Sequence, residues 1–144
     1  MKKILLLIFL FCPFNLVAVE KTKEEKVAKY VLENIQKDYV NCYSFYKIAA
    51  ESFKKAGREK TIIEGLEKSA DVTLKFNHDL GEVLGFTSKM MGVNTKKQIE
   101  KFTVIAKKDF TTLTNQYGLM CKKLVENQKQ RIDYWEEKGN KIIK

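Results

Sequence analysis

Apolar residues recur every third or fourth position along most of this chain, the spacing that lays them on one face of an α-helix. Over residues 22–56 the series Ala28, Val31, Ile35, Tyr39, Cys42, Tyr46, Ala49 and Phe53 predicts one long helix. Gly57 supplies its stop, because glycine takes the left-handed cap conformation without a steric penalty. A second helix is predicted over residues 61–91 from Ile62, Leu66, Ala70, Thr73, Phe76, Leu80, Leu84 and Met91. Thr61 and Glu64 have the spacing of a capping box at its start, and Gly92 ends it. Asn94 and Thr95 then cap a third helix, which begins near Lys96 and carries Ile99, Phe102, Ala106, Phe110, Leu113, Tyr117, Cys121 and Leu124. Beyond Asn127, the segment with Arg131, Ile132, Tyr134 and Trp135 predicts a short helix ending at Gly139. Residues 140–144 are expected to fray.

The expected fold is all-α: an antiparallel up-down bundle of three long helices plus a short C-terminal helix, or four helices, stapled by one disulfide. Cys42 and Cys121 each fall on the core-facing stripe of a long helix, so both point into one shared core. In a strict three-helix drawing the first and third helices run parallel. Cys121 then lies eight residues, about 12 Å, above Cys42, farther than the roughly 7 Å a bridge allows. Two repairs exist, a break at Gly118 that starts a fourth helix or a kink of the second helix at Gly81 or Gly85. The unbroken apolar face through Leu113, Tyr117, Cys121 and Leu124 favours a continuous third helix.

The amino terminus changes what that cysteine pair means. Lys2 and Lys3, the apolar run from Ile4 to Phe11, and the small Ala18 follow the order of a secretory leader, so cleavage is expected near Ala18. The run is too short, and too broken by Pro13, for the roughly 20 residues of a spanning helix. Lipid attachment at Cys12 is disfavoured by the bulky Leu10 and Phe11. The chain therefore divides into a leader, 1–18, and one helical domain, 19–144, long enough for a single core. Export places the protein in the periplasm or outside the cell, where an intramolecular Cys42–Cys121 disulfide is expected. A crosslink closing roughly 80 residues contributes on the order of 4 kcal/mol.

The whole chain has 27 basic and 18 acidic residues, net charge +9, and loss of the two leader lysines leaves +7. Such a balance favours anionic partners: membrane surfaces, acidic polymers or acidic proteins. Nucleic acid is not expected of an exported protein. Lysines cluster at Lys54, Lys55, Arg58 and Lys60, at Lys96, Lys97 and Lys101, and at Lys122 and Lys123, with glutamates interleaved, the pattern of a solvated mixed-charge face.

Chemistry is sparse. His78 is the only histidine, and its neighbour Asp79 projects from a different side of the helix, so no nucleophile relay is expected. One histidine does not make a structural zinc site. Haem attachment needs a CxxCH segment, which is missing, and non-covalent ligation by His78 with Met90, Met91 or Met120 competes with their use as core filler. Glu136, Glu137 and Asp133 lack the enclosed cleft that paired catalytic acids require. No catalytic, cofactor or metal residue is therefore expected, and Cys42 and Cys121 are the only designated site residues. The aromatic group Tyr39, Tyr43, Phe45, Tyr46 and Phe53 exceeds one core stripe, which points to a wide core face or to an apolar groove.

The expected function is that of an exported, non-enzymatic binding or adaptor protein engaging a protein or an anionic component of the envelope, with peripheral membrane contact as one form. The alternative is a carrier of a small ligand or haem in the bundle interior. The leader, the two core-facing cysteines and the Tyr-Trp ending together resemble small exported helical proteins of Gram-negative bacteria, which implies compartment and fold class but no activity.

Overall fold

The computed structural model describes residues 22–144, and the expected leader, with Cys12 and Ala18, lies outside them. Helix α1, Lys23–Lys55, starts where the sequence predicts, with Thr22 as its N-cap. The Glu25 amide donates to Thr22 Oγ1 at 3.2 Å and the Thr22 amide to Glu25 Oε2 at 3.0 Å, a reciprocal capping box. Gly57, at φ +64°, closes it, and the Arg58 amide bonds back to the Phe53 carbonyl at 3.0 Å.

Helix α2, Lys60–Val83, departs from expectation at both ends. Its N-cap is Glu59, which makes no side-chain cap bond, so the expected Thr61–Glu64 box does not form and Glu64 pairs with Lys60 at 3.3 Å instead. Gly85 (φ +77°) stops the helix, and the Phe86 amide bonds to the Gly81 carbonyl at 2.8 Å. Gly92 is therefore not a terminator. It lies within helix α3, Ser88–Lys108, whose N-cap is Thr87 rather than Asn94 or Thr95. The inner face of α2 carries Ile63, Ala70 and Thr73, while the expected Ile62 is 45% exposed.

The largest correction falls on the third helix, which is not continuous. Asp109 leaves helical geometry at φ −159° and ψ 105° and begins helix α4, Phe110–Glu126. Its carboxylate accepts from the Thr111 amide at 2.8 Å and from Thr112 Oγ1 at 2.7 Å, and these bonds hold its pKa below the usual carboxylate range. Gly118 does not break the helix. After Asn127, which is non-helical, helix α5 spans Gln128–Ile142, so Gly139 lies inside it.

Pairings along the helices fix their directions. Helix α2 descends beside α1, Lys54 meeting Glu67 at 2.6 Å near the top and Tyr39 stacking on Phe76 at 5.1 Å lower down. Helix α3 rises, with Thr95 near the level of Gln36. Helix α4 descends along α1, since Phe110 approaches Phe53 at 6.2 Å and Cys121 bonds Cys42. Helix α5 continues downward, placing Trp135 6.0 Å from Tyr30 and Gly139 against Val27 and Tyr30. Helix α1 is thus the spine, touching all four others.

The core gathers Ile35, Tyr39, Cys42, Phe45, Tyr46 and Ala49 of α1 with Ala70, Phe102, Leu113, Cys121 and Leu124. Burial pushes the Tyr39 and Tyr46 phenols up to about 12. One polar bridge crosses it: Gln36 Nε2 donates to Asn77 Oδ1 at 2.6 Å, and Asn77 Nδ2 to Thr95 Oγ1 at 3.5 Å, linking α1, α2 and α3. The bonded Cys42 and Cys121 have Cα atoms 5.2 Å apart and are fully buried. Among the described residues no helix is long and apolar enough to cross a membrane.

Candidate functional site

Charge separates one helix from the rest. On α1, Lys29 pairs with Glu33 at 3.7 Å and Lys54 with Glu67 at 2.6 Å. On α4 and α5, Lys122 meets Glu126 at 3.9 Å, Lys129 meets Asp133 at 2.7 Å and Lys141 meets Glu137 at 2.6 Å. These contacts act on titration: the Lys54 ammonium holds the Glu67 carboxyl below its usual range, and Lys141 does the same to Glu137. Helix α3 carries Lys89, Lys96, Lys97, Lys101, Lys107 and Lys108 against a single acid, Glu100. All seven side chains belong to exposed residues, and none is in an ion pair among the described residues.

Shallow grooves flank this helix. One, of about 440 Å³, is lined by Tyr43, Leu74, His78, Lys96, Ile99 and Glu100. It shares Ile99 with a second of about 350 Å³, which has Ile48 and Ala106 as apolar lining and Lys47, Lys55 and Lys107 as cations. A third, of about 280 Å³, brings Lys37 of α1 together with Lys97 of α3. Lysines of α1 therefore extend the positive potential of α3.

A larger hollow, about 640 Å³, lies between α4 and α5 and is lined by Leu119, Met120, Lys123, Arg131, Asp133, Tyr134 and Glu137, among others. Its charged groups are largely committed within the protein. Asp133 and Glu137 hold Lys129 and Lys141. Arg131 donates to the buried Asp38 from Nε at 2.6 Å and from Nη2 at 3.2 Å, and Trp135 Nε1 donates to the same carboxylate at 2.6 Å. The guanidinium also stacks on Tyr134, 4.5 Å from its ring centre. This cluster fastens α5 to α1.

The residues singled out in the sequence are scattered. His78 is half-buried in the groove beside α3, and no methionine lines that groove. Met91 fills the space left by Gly81, Met120 Sδ lies 3.8 Å from Cys42 Sγ, and Met90 is exposed. Of the five aromatics from Tyr39 to Phe53 on α1, Tyr39, Phe45 and Tyr46 are buried and Phe53 packs against Phe110, leaving Tyr43 as the one that lines a groove. Among the described residues, no three His, Cys, Asp or Glu side chains are placed to share a metal ion. The lysine clusters at residues 54–60 and 122–123 are partly neutralised by Glu51, Glu64, Glu67 and Glu126, and the cluster at 96–101 is not. A readable signal was the near absence of acids between Ser88 and Lys108. Asp38 was missed because its partners lie far along the chain.

Compared with family models, curated proteins and solved structures, the chain matches none.

Proposed function

We propose that this is an exported, non-enzymatic binding protein that engages an anionic component of the cell envelope through α3. The observation that carries the reading is the set of six unpaired lysines accompanied by a single acid on one helix, while each of the other helices has lysines held in ion pairs. Lys97 and Lys101 stand one turn apart, where like charges destabilise a helix, and an anionic partner relieves that repulsion. The leader and the core-facing cysteine pair support export. The carrier alternative lacks equivalent support, since His78 meets no methionine across its groove.

The test compares two triple variants with equal change of net charge. K96E/K97E/K101E reverses α3, and K60E/K122E/K141E reverses lysines that are paired internally. Affinity for long-chain polyphosphate, measured at several salt concentrations, should fall about tenfold or more for the first variant, while the second stays within about threefold of the parent. Equal losses would reduce the binding to net charge alone and remove the assignment to α3.

A further inference from the structure

We infer that the anionic component bound at α3 is an acidic polysaccharide, one sugar unit of which seats in the small hollow between α1 and α3; this rests on the reading of α3 as an anion-binding element. The site is built around Gln36, which is 4% exposed and whose Nε2 donates to Asn77 Oδ1 at 2.6 Å. Its Oε1 accepts no hydrogen bond from the described residues. Since none of their fully buried side-chain oxygens lacks a partner, this carbonyl keeps some accessible surface. Gln36 lines the hollow of about 280 Å³, and its carbonyl is available there. An acceptor held in place by the bond on its own amide nitrogen needs a donor from the ligand. Around it stand Asn41 of α1, one turn from Lys37, and Asn94 of α3, one turn from Lys97 and Gln98. Among the described residues, the amides of Asn41, Asn94 and Gln98 make no side-chain hydrogen bond, the two lysines make no ion pair, and no carboxylate lines the hollow.

This lining selects among anions. Polyphosphate and carboxylate side chains offer acceptors alone, which serve the ammonium and amide N–H groups but leave four amide carbonyls, Gln36 foremost, without a donor. A sugar hydroxyl both donates and accepts, and neighbouring hydroxyls of one ring present both to amides on two facing helices. An acid group on the same ring meets Lys37 or Lys97. The volume lies below the roughly 300–1,000 Å³ of sites for drug-sized ligands, which suits one ring rather than several. Lys101 continues the row of Lys97 one turn along α3, where it meets the acid group of an adjoining unit. A polymer of acidic sugars therefore uses the lysines and the amides together.

The experiment measures affinity of the mature chain for a galacturonic acid oligomer and for polyglutamate of equal carboxylate count, which lacks hydroxyls, alongside polyphosphate. The parent should bind the galacturonate about tenfold or more tighter than the polyglutamate. N41A/N94A/Q98A removes three amides that are unbonded within the protein. It should lose about tenfold in galacturonate affinity, while polyphosphate affinity stays within about threefold and reports that the fold is intact. K96E/K97E/K101E should weaken binding of all three polymers. Equal affinity of the parent for the two carboxylate polymers, or full galacturonate affinity in the amide variant, would overturn the sugar inference while preserving α3 as an anion site. Tighter binding of polyglutamate would overturn it in favour of an acidic protein. Unchanged binding of every polymer by the lysine variant would overturn both readings.

Discussion

Asp38 shows how one side chain sets the position of a helix. It stands between Ile35 and Tyr39 on the inner side of α1, is 4% exposed, and accepts three hydrogen bonds from Arg131 and Trp135. A buried carboxylate is tolerated only when its charge is matched, and here two donors from α5 supply the match. Asp38→Ala should lower unfolding free energy by about 3 kcal/mol, because the Trp135 N–H and the Arg131 guanidinium lose their acceptor together. Asp38→Asn, which keeps an oxygen for Trp135, should lose less. Urea denaturation of both variants checks this, and a loss below about 1 kcal/mol for the alanine would mean that α5 is held by packing alone. The sequence does not announce this residue, since its partners are 93 and 97 positions away. Gly139 was misleading in the same way: it reads as a helix stop, yet a Cβ there would come within 3.1 Å of Tyr30 Cδ1, so its smallness serves a close approach between α5 and α1.

At the scale of elements, two breaks decide how the cysteines meet. Ending α2 at Gly85 instead of Gly92 shortens the descent, and turning the chain at Asp109 makes α4 run down against α1. The excess height of Cys121 over Cys42 in a strict three-helix drawing then disappears, as Phe53 faces Phe110 and Cys42 meets Cys121. Replacing both cysteines, C42A/C121A, should lower stability by about 4 kcal/mol, the loop-entropy contribution for a crosslink spanning 79 residues. Chemical denaturation measures it, and a loss under about 1 kcal/mol would show that packing alone sets the α1–α4 register. Helix class, the whole of α1 and the inward aim of both cysteines were legible from spacing. The Asp109 turn was not, because a single non-helical residue leaves the three-and-four rhythm from Phe102 to Leu113 unbroken when both helices face the same core. Only Asp109 followed by Thr112, a local capping pattern, marked it.

Over the whole molecule, composition records that positive charge is in excess, and the fold decides where it is left unpaired. Interleaved lysines and glutamates look alike along the chain, but Glu67 reaches across to Lys54 while α3 has only Glu100 for six lysines. That difference is tertiary, which is why a mixed solvated face was the natural reading of the sequence. An anionic ligand should therefore perturb one region. The most direct measurement is a titration of the isotope-labelled, oxidised domain with polyphosphate, followed by amide chemical shifts. Shifts concentrated on residues 89–108, with smaller changes at Lys47 and Lys55 across the groove, are the predicted result; changes spread evenly over all five helices, or centred on the α4–α5 hollow, would contradict α3 as the binding surface.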